Sequence, residues 1–327
     1  MRITRIVGTG SCVPERKITN SELSEWMETS DEWIRSRTGI GERRIADTCT
    51  TSQLAAGAAK KALLDAGIHA EEVDLIITAT SSPEYFFPGA ACEVQAMVGA
   101  KHAVSYDLSA ACSGFLFALN TAYAFLTSGF YKNAVVIGAD VMSKMVDWND
   151  RSTCVLFGDG AGAVVLQSEE SEEGSQRGIR SFCMESDGSK GEVLTCKARS
   201  NGNFLTGTEP KLGYLSMNGQ EVFKFAVKKV PESIEKLLEQ AGEEKEQIQY
   251  FILHQANYRI IEAAAKRLKL PLERFPMNIE CYGNTSGASI PILLDEMNRN
   301  GKLKSGDKLV LSGFGAGLTW GSTLLTW

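Results

Sequence analysis

Three residues in this chain carry side chains that could do nucleophilic chemistry together: Cys112, His254 and Asn284. Cys112 stands near the head of LSAACSGFLFALNTAYAFLTSG, an apolar stretch from Leu108 that reads as a helix closed by Gly129. A helix start gathers unpaired backbone N–H groups and the positive end of the macrodipole, which favours a thiolate. Cys112 is therefore a candidate nucleophile, although its position alone fits a small buried residue as well. His254 follows the apolar run QYFIL and precedes QANYRIIEAAAKRL, a strand-to-helix junction. Asn284 lies in YGNTSGAS, ahead of the helix IPILLDEMNRNG. A lone histidine is usually a satisfied structural residue, but the three together form a chemically compatible set.

The elements that must position this set are written twice. AAKKALLDAGIHAEEVDLIITATSS from Ala58 is similar to IEKLLEQAGEEKEQIQYFILHQAN from Ile234, each an amphipathic helix, an Ala-Gly stop, an acidic turn and a buried strand. SGFYKNAVVIGAD from Ser128 likewise matches the sense of KSGDKLVLSGFG from Lys304. Between these landmarks the first half holds Cys112 and the second holds Asn284, so the two are expected at related positions. Helix and strand alternate and the strands are nearly continuous apolar runs, which predicts an α/β fold of two pseudo-symmetric halves with mostly parallel sheets. The polar stretch SEESEEGSQRG from Ser168 places the seam near residue 170, giving halves 1–170 and 171–327. Sites in open α/β sheets gather beyond the carboxyl ends of strands, where all three candidates fall.

Composition bounds the function. The chain has 327 residues, 43% hydrophobic and 23% charged, an ordinary globular balance, and its net charge of -6 argues against general nucleic-acid binding. No run approaches the roughly 18 apolar residues of a membrane span, and the first residues, MRITRIVGTG, read as a strand, so a cytoplasmic protein is expected. Eight scattered cysteines without a CxxC pair read as reduced thiols, and the three histidines stand at no ligand spacing to them, so no metal is expected.

FGDGAGAVVL from Phe157 fits a loosened dinucleotide pattern but precedes a strand where a helix would be needed, which removes that reading. Its glycines, and those of SGFGAGLTWGS from Ser312, suit close backbone approach, and the second loop could also offer an N–H to a reacting oxygen. SDEWIRSRTGIGERRI from Ser30 combines Trp33 with Arg35, Arg37, Arg43 and Arg44, which suits a nucleotide with phosphates and equally a solvated basic loop. Arg259, Lys266 and Arg267 form a basic stripe on the helix after His254, either a docking face for an acidic partner or an ordinary wet face.

ACSGF around Cys112, HQANYRI from His254, YGNTSGAS around Asn284 and WIRSRTGI from Trp33 resemble the β-ketoacyl-[acyl-carrier-protein] synthase III family, in order and over essentially the whole chain. The resemblance implies the five-layered αβαβα thiolase-like fold, a homodimer, and the condensation that starts type II fatty-acid synthesis. It implies that Cys112 accepts a short acyl group from acyl-CoA, which is a substrate, so that no cofactor is needed. His254 and Asn284 would then donate hydrogen bonds to the thioester oxygen of malonyl-carrier protein as carbon dioxide leaves. The backbone N–H groups of Cys112 and Ala316 would meet the tetrahedral oxyanion.

By the same resemblance Trp33 and Arg151 sandwich the adenine of CoA, Arg37 meets its phosphates with Thr38 close by, and Gly219 and Phe223 line the pantetheine channel. Lys224, Arg259, Lys266 and Arg267 receive the carrier protein, and Phe87 crosses the dimer interface to close the partner's acyl pocket. The chain departs from the family's usual residues at Gly315-Ala316-Gly317 and at Gly287, which leaves space near Asn284. A polyketide-priming or acyl-transferring relative of the same fold is the alternative. A papain-like protease shares the Cys, His, Asn order but not the duplicated α/β pattern, and a docking-only module would not need the intact triad.

Overall fold

Strands that are apolar at every position end up covered on both faces, and that is the organising fact of this fold. The computed structural model describes residues 2–171 and 177–327; residues 172–176 of the expected seam lie outside the described residues. Leu75 and Ile77 of strand Leu75–Ala79 point into one apolar cluster while Ile76 between them points into another. Leu309 and Leu311 of strand Lys308–Gly315 likewise face opposite to Val310. Period-two alternation therefore serves two cores at once.

The five-stranded sheet runs Arg2–Cys12, Asp159–Glu170, Asn133–Val141, Leu75–Ala79, Val104–Leu108. The four-stranded sheet runs Tyr250–Leu253, Lys308–Gly315, Thr319–Thr326, Gly178–Ser186. Helices Gly114–Thr127 and Ser289–Arg299 pack between the sheets. Helices Thr51–Ala66 and Ala90–Val98 cover the outer face of the first sheet, and Gly219–Ala241 and Tyr258–Leu268 that of the second. The result is the expected αβαβα layering. Phe115, Leu116 and Leu119 of the central layer are fully buried, each worth about 1.5–3 kcal/mol of transfer free energy.

The sheets are mixed, and parallel pairing is less prevalent than the alternation of elements predicts. Parallel pairs join Leu75–Ala79 to both its neighbours and Tyr250–Leu253 to Lys308–Gly315, whereas the remaining pairs of both sheets are antiparallel. The cause is the connection. No crossover helix separates Asn133–Val141 from Asp159–Glu170, and only residues 316–318 separate Lys308–Gly315 from Thr319–Thr326.

The duplication is visible at a constant spacing of 175 residues. Helix Thr51–Ala66 stops at Gly67 with φ +64°, and helix Gly219–Ala241 stops at Gly242 with φ +65°. Each is followed by a 3-10 turn, Ala70–Glu72 or Lys245–Gln247, and then by a strand, Leu75–Ala79 or Tyr250–Leu253. At that spacing Asn133, which opens one strand, answers to Lys308, which opens the other.

Candidate active site

Cys112 sits in the 3-10 turn Ala111–Ser113, which runs directly into helix Gly114–Thr127. Ala111 carries φ +47°, a left-handed conformation that costs a non-glycine residue strain and lifts the following thiol out of the strand direction. Gly315 makes this turn fit, because a Cβ there would lie 2.8 Å from the amide nitrogen of Cys112 and 3.1 Å from the carbonyl of Ala110. The hydroxyls of Ser113 and Thr319 meet at 2.7 Å and tie the same hairpin to the nucleophile loop. Ala316, the next residue of the hairpin, lines one cleft with Cys112.

Burial opposes the helix start at this thiol. Burial pushes Cys112 up to about 12; a hydrogen bond with Ser286 pulls the other way, and the nearby Asp140 carboxylate adds to the push. Cys112 is partly exposed, and the protein around it disfavours a thiolate by desolvation.

His254 follows strand Tyr250–Leu253 as expected, is 2% exposed, and donates its backbone N–H to the carbonyl of Ser312 at 2.8 Å. Its ring meets Phe314 edge-on, with centroids 5.5 Å apart, and its Nδ1 lies 2.6 Å from Ser289 Oγ. Burial alone holds its pKa down to about 3, so the imidazole is neutral across the physiological range. Asn284, 7% exposed, is strapped to the first half by its N–H to Leu156 at 2.9 Å and by its carbonyl, which accepts from Gly158 at 3.1 Å. Its Oδ1 accepts from the Ser286 N–H at 2.9 Å, which fixes the amide's orientation. Among the described residues neither His254 Nε2 nor Asn284 Nδ2 has a partner.

Cys112, His254 and Asn284 line one cleft of about 1710 Å³. Space at Gly287 does not bear on the Asn284 amide, since a Cβ there would face the Ala111 carbonyl at 3.4 Å and Asp140 at 3.8 Å. The structure also refines the relation between the halves. At the spacing of 175 residues the counterpart of Cys112 is Gly287, and Asn284 stands three residues ahead of it.

Of the residues expected to bind CoA, Trp33, Arg37, Thr38, Gly219 and Phe223 line this cleft. Arg37 and Arg151 both lie over the Trp33 ring, 4.8 and 5.5 Å from its centroid. The Thr38 hydroxyl is engaged locally, donating to Ile34 and accepting from the Ile40 N–H. The rest of the basic cluster is not a phosphate site. Arg43 is completely buried and donates to the carbonyls of Ile18 and Val155, with burial pulling its pKa down to about 10. Arg35 pairs with Asp31 and Glu280, and Arg44 donates to the carbonyls of Pro14 and Glu15.

The basic stripe is exposed. Lys224 pairs with Glu221 and Arg267 with Glu232, whereas Arg259 has no carboxylate partner among the described residues. Arg259 also stands in the first turn of helix Tyr258–Leu268, where the helix dipole disfavours a cation. Lys266 lies in the last turn of the same helix, where a cation is favoured. Phe87 is 87% exposed, in an apolar patch with Tyr85 and Phe86.

Three site residues had no signal in the sequence: Asp140, Ser286 and Ser289. Asp140 is buried and accepts from Ser81 N–H and Ser82 Oγ, and Gly287 N–H reaches it at 3.3 Å. Serines within GNTSGAS read as loop composition, and only the fold aims them at Cys112 and His254.

Comparison with known proteins places the chain among relatives of the same length and fold. Residues 106–188 match the family described as 3-oxoacyl-[acyl-carrier-protein] synthase III, and residues 238–327 match its C-terminal counterpart. A β-ketoacyl-[acyl-carrier-protein] synthase III of Clostridium acetobutylicum is 52% identical, covering 100% of this chain and 99% of the relative. The crystal structure of the Aquifex aeolicus synthase III is 47% identical with a TM-score of 0.91, covering 99% of this chain and 100% of that one. A priming β-ketosynthase from a polyketide biosynthetic pathway shares the fold at a TM-score of 0.91 with 34% identity, covering 99% of this chain and 96% of that one.

Proposed function

Since this chain belongs to the 3-oxoacyl-[acyl-carrier-protein] synthase III family and is an acyltransferase whose condensation initiates type II fatty-acid synthesis, we propose that the reaction runs through an acyl group on Cys112. The observation that carries this reading is the convergence of a thiol and two side-chain nitrogens without a partner among the described residues on one cleft.

In the first stage Cys112 Sγ attacks the thioester carbonyl of acyl-CoA. Burial disfavours a resting thiolate, and the thiol proton ends on the departing CoA sulfur. The N–H groups of Cys112, in its 3-10 turn, and of Ala316, in the neighbouring hairpin, would receive the oxyanion. The CoA chain runs past Phe223 and Gly219, its phosphates meet Arg37 beside Thr38, and its adenine displaces the guanidinium of Arg37 or Arg151 from the Trp33 face.

In the second stage malonyl-carrier protein enters. As carbon dioxide leaves, negative charge moves onto the thioester oxygen, where His254 Nε2 and Asn284 Nδ2 donate. Both are neutral donors already held in place from behind, so little reorganisation is needed. The carbanion attacks the acyl-Cys112 carbonyl, the tetrahedral intermediate collapses to 3-ketoacyl-carrier protein, and the freed thiolate takes a proton from solvent. Arg259, with Lys224, Lys266 and Arg267, receives the acidic carrier; an unpaired cation at the unfavourable end of a helix supports that role.

The molecule acts as a homodimer in which Phe87 reaches the partner's acyl pocket, a reading supported by its exposure in an aromatic patch. The chain divides into halves 1–170 and 171–327, and the protein works in the cytoplasm. Among the described residues no helix is long and apolar enough to cross a membrane. A polyketide-priming role uses the same site with a different primer.

The test is intact-protein mass spectrometry with acetyl-, isobutyryl- and longer acyl-CoAs, with peptide mapping. Adducts confined to Cys112 and absent in Cys112→Ser are expected, and an adduct that persists in that variant overturns the assignment.

A further inference from the structure

We propose that Ser289 is a positioning residue that fixes the tautomer of His254, holding the ring hydrogen on Nε2, where it faces the cleft. The inference deepens the reading above and rests on it for its catalytic meaning. Ser289 is the first residue of helix Ser289–Arg299 and is 2% exposed. Its Oγ lies 2.6 Å from His254 Nδ1 and receives the backbone N–H of Gln255 at 3.3 Å. A backbone amide can only donate, so that bond uses a lone pair of Oγ and leaves the hydroxyl hydrogen to be placed.

Among the described residues Nδ1 is the one acceptor within hydrogen-bond reach of that hydrogen. Were Nδ1 to carry the ring hydrogen, two hydrogens would face one contact and the hydroxyl would be buried without an acceptor. The hydroxyl therefore donates to Nδ1, and the neutral ring carries its hydrogen on Nε2.

The backbone N–H of His254 is bound to Ser312, and Phe314 lies edge-on to the ring. In this tautomer Nε2 is a donor and not an acceptor. His254 is thus preset for the oxygen that gains charge during loss of carbon dioxide and is not the base that takes the Cys112 proton. The division of labour between the two half-reactions is written into one hydroxyl.

Nitrogen-15 NMR of the resting enzyme labelled at histidine tests this directly. The expected result is an unprotonated, hydrogen-bonded Nδ1 and a protonated Nε2 for His254; the reverse assignment overturns the proposal. In Ser289→Ala the Nδ1 signal should lose its hydrogen-bond shift and both nitrogens should move toward a tautomer average. Decarboxylation of malonyl-carrier protein should fall about tenfold or more, by analogy with losing a preorganised donor, while Cys112 acylation is retained and Ser289→Thr restores the rate. Unmoved nitrogen signals in Ser289→Ala overturn the role of the hydroxyl. Failure of Cys112 to acylate in the wild type would sink the reading of function instead and leave the tautomer measurement standing.

Discussion

The two halves of this molecule share a scaffold and differ in what they hang on it. In each, a residue with positive φ, Ala111 at +47° or Ser286 at +52°, opens a 3-10 turn that feeds a helix of the central layer. Residues 175 apart then answer to one another: Cys112 to Gly287, Gly114 to Ser289, Ala79 to His254. In the first half the last pair is inert, since a Cβ on Gly114 would lie 3.1 Å from the Ala79 Cβ. In the second the same contact is the bond between Ser289 and His254. The half with Cys112 is bare where its mate has Ser289 and His254, and that mate has no side chain at the counterpart of Cys112. One site arises because each copy lacks what the other supplies.

The largest effect expected from this comparison separates the half-reactions by half of the molecule. Asn284→Ala should still load Cys112 but release carbon dioxide about 100- to 1000-fold more slowly, measured with labelled malonyl-carrier protein. Equal loss of loading would break the division. Gly138→Ala strikes the seam itself, because its Cβ would lie 2.2 Å from the Gly287 carbonyl. A destabilisation of about 1–3 kcal/mol or more is expected in denaturant unfolding, with both half-reactions falling together. Arg259→Glu should raise the KM for malonyl-carrier protein about tenfold, roughly a 1.4 kcal/mol effect, and leave acyl-CoA loading unchanged. The smallest effect belongs to Gly287→Ala. The new methyl meets the Ala111 carbonyl at an ordinary 3.4 Å, so stability should change by less than about 1.5 kcal/mol. A larger loss would mean that the bare position opposite Cys112 is required.

Much of this was legible in the residues because the signals are local. Gly67 and Gly242 end helices in a conformation that favours glycine, and the apolar strands announce burial on both faces. That Cys112, His254 and Asn284 share one cleft could be expected because strand ends gather sites. What escaped depends on the third dimension. Arg43 looks like any surface arginine until the fold encloses it, and Arg35 and Arg44 engage neighbours that no spacing rule names. The thiol was read from its helix start, which is local, whereas the desolvation that opposes it comes from the surrounding fold. Strand direction followed the presence or absence of a crossover helix, which the pattern of apolar runs alone leaves open.

Gly138 and Gly315 bring main chain against main chain at the places where the halves meet around Cys112. Contacts of main chain with main chain depend on no particular side chain at these two positions beyond its absence. The spacing around Cys112 is thereby set by what the two glycines leave out.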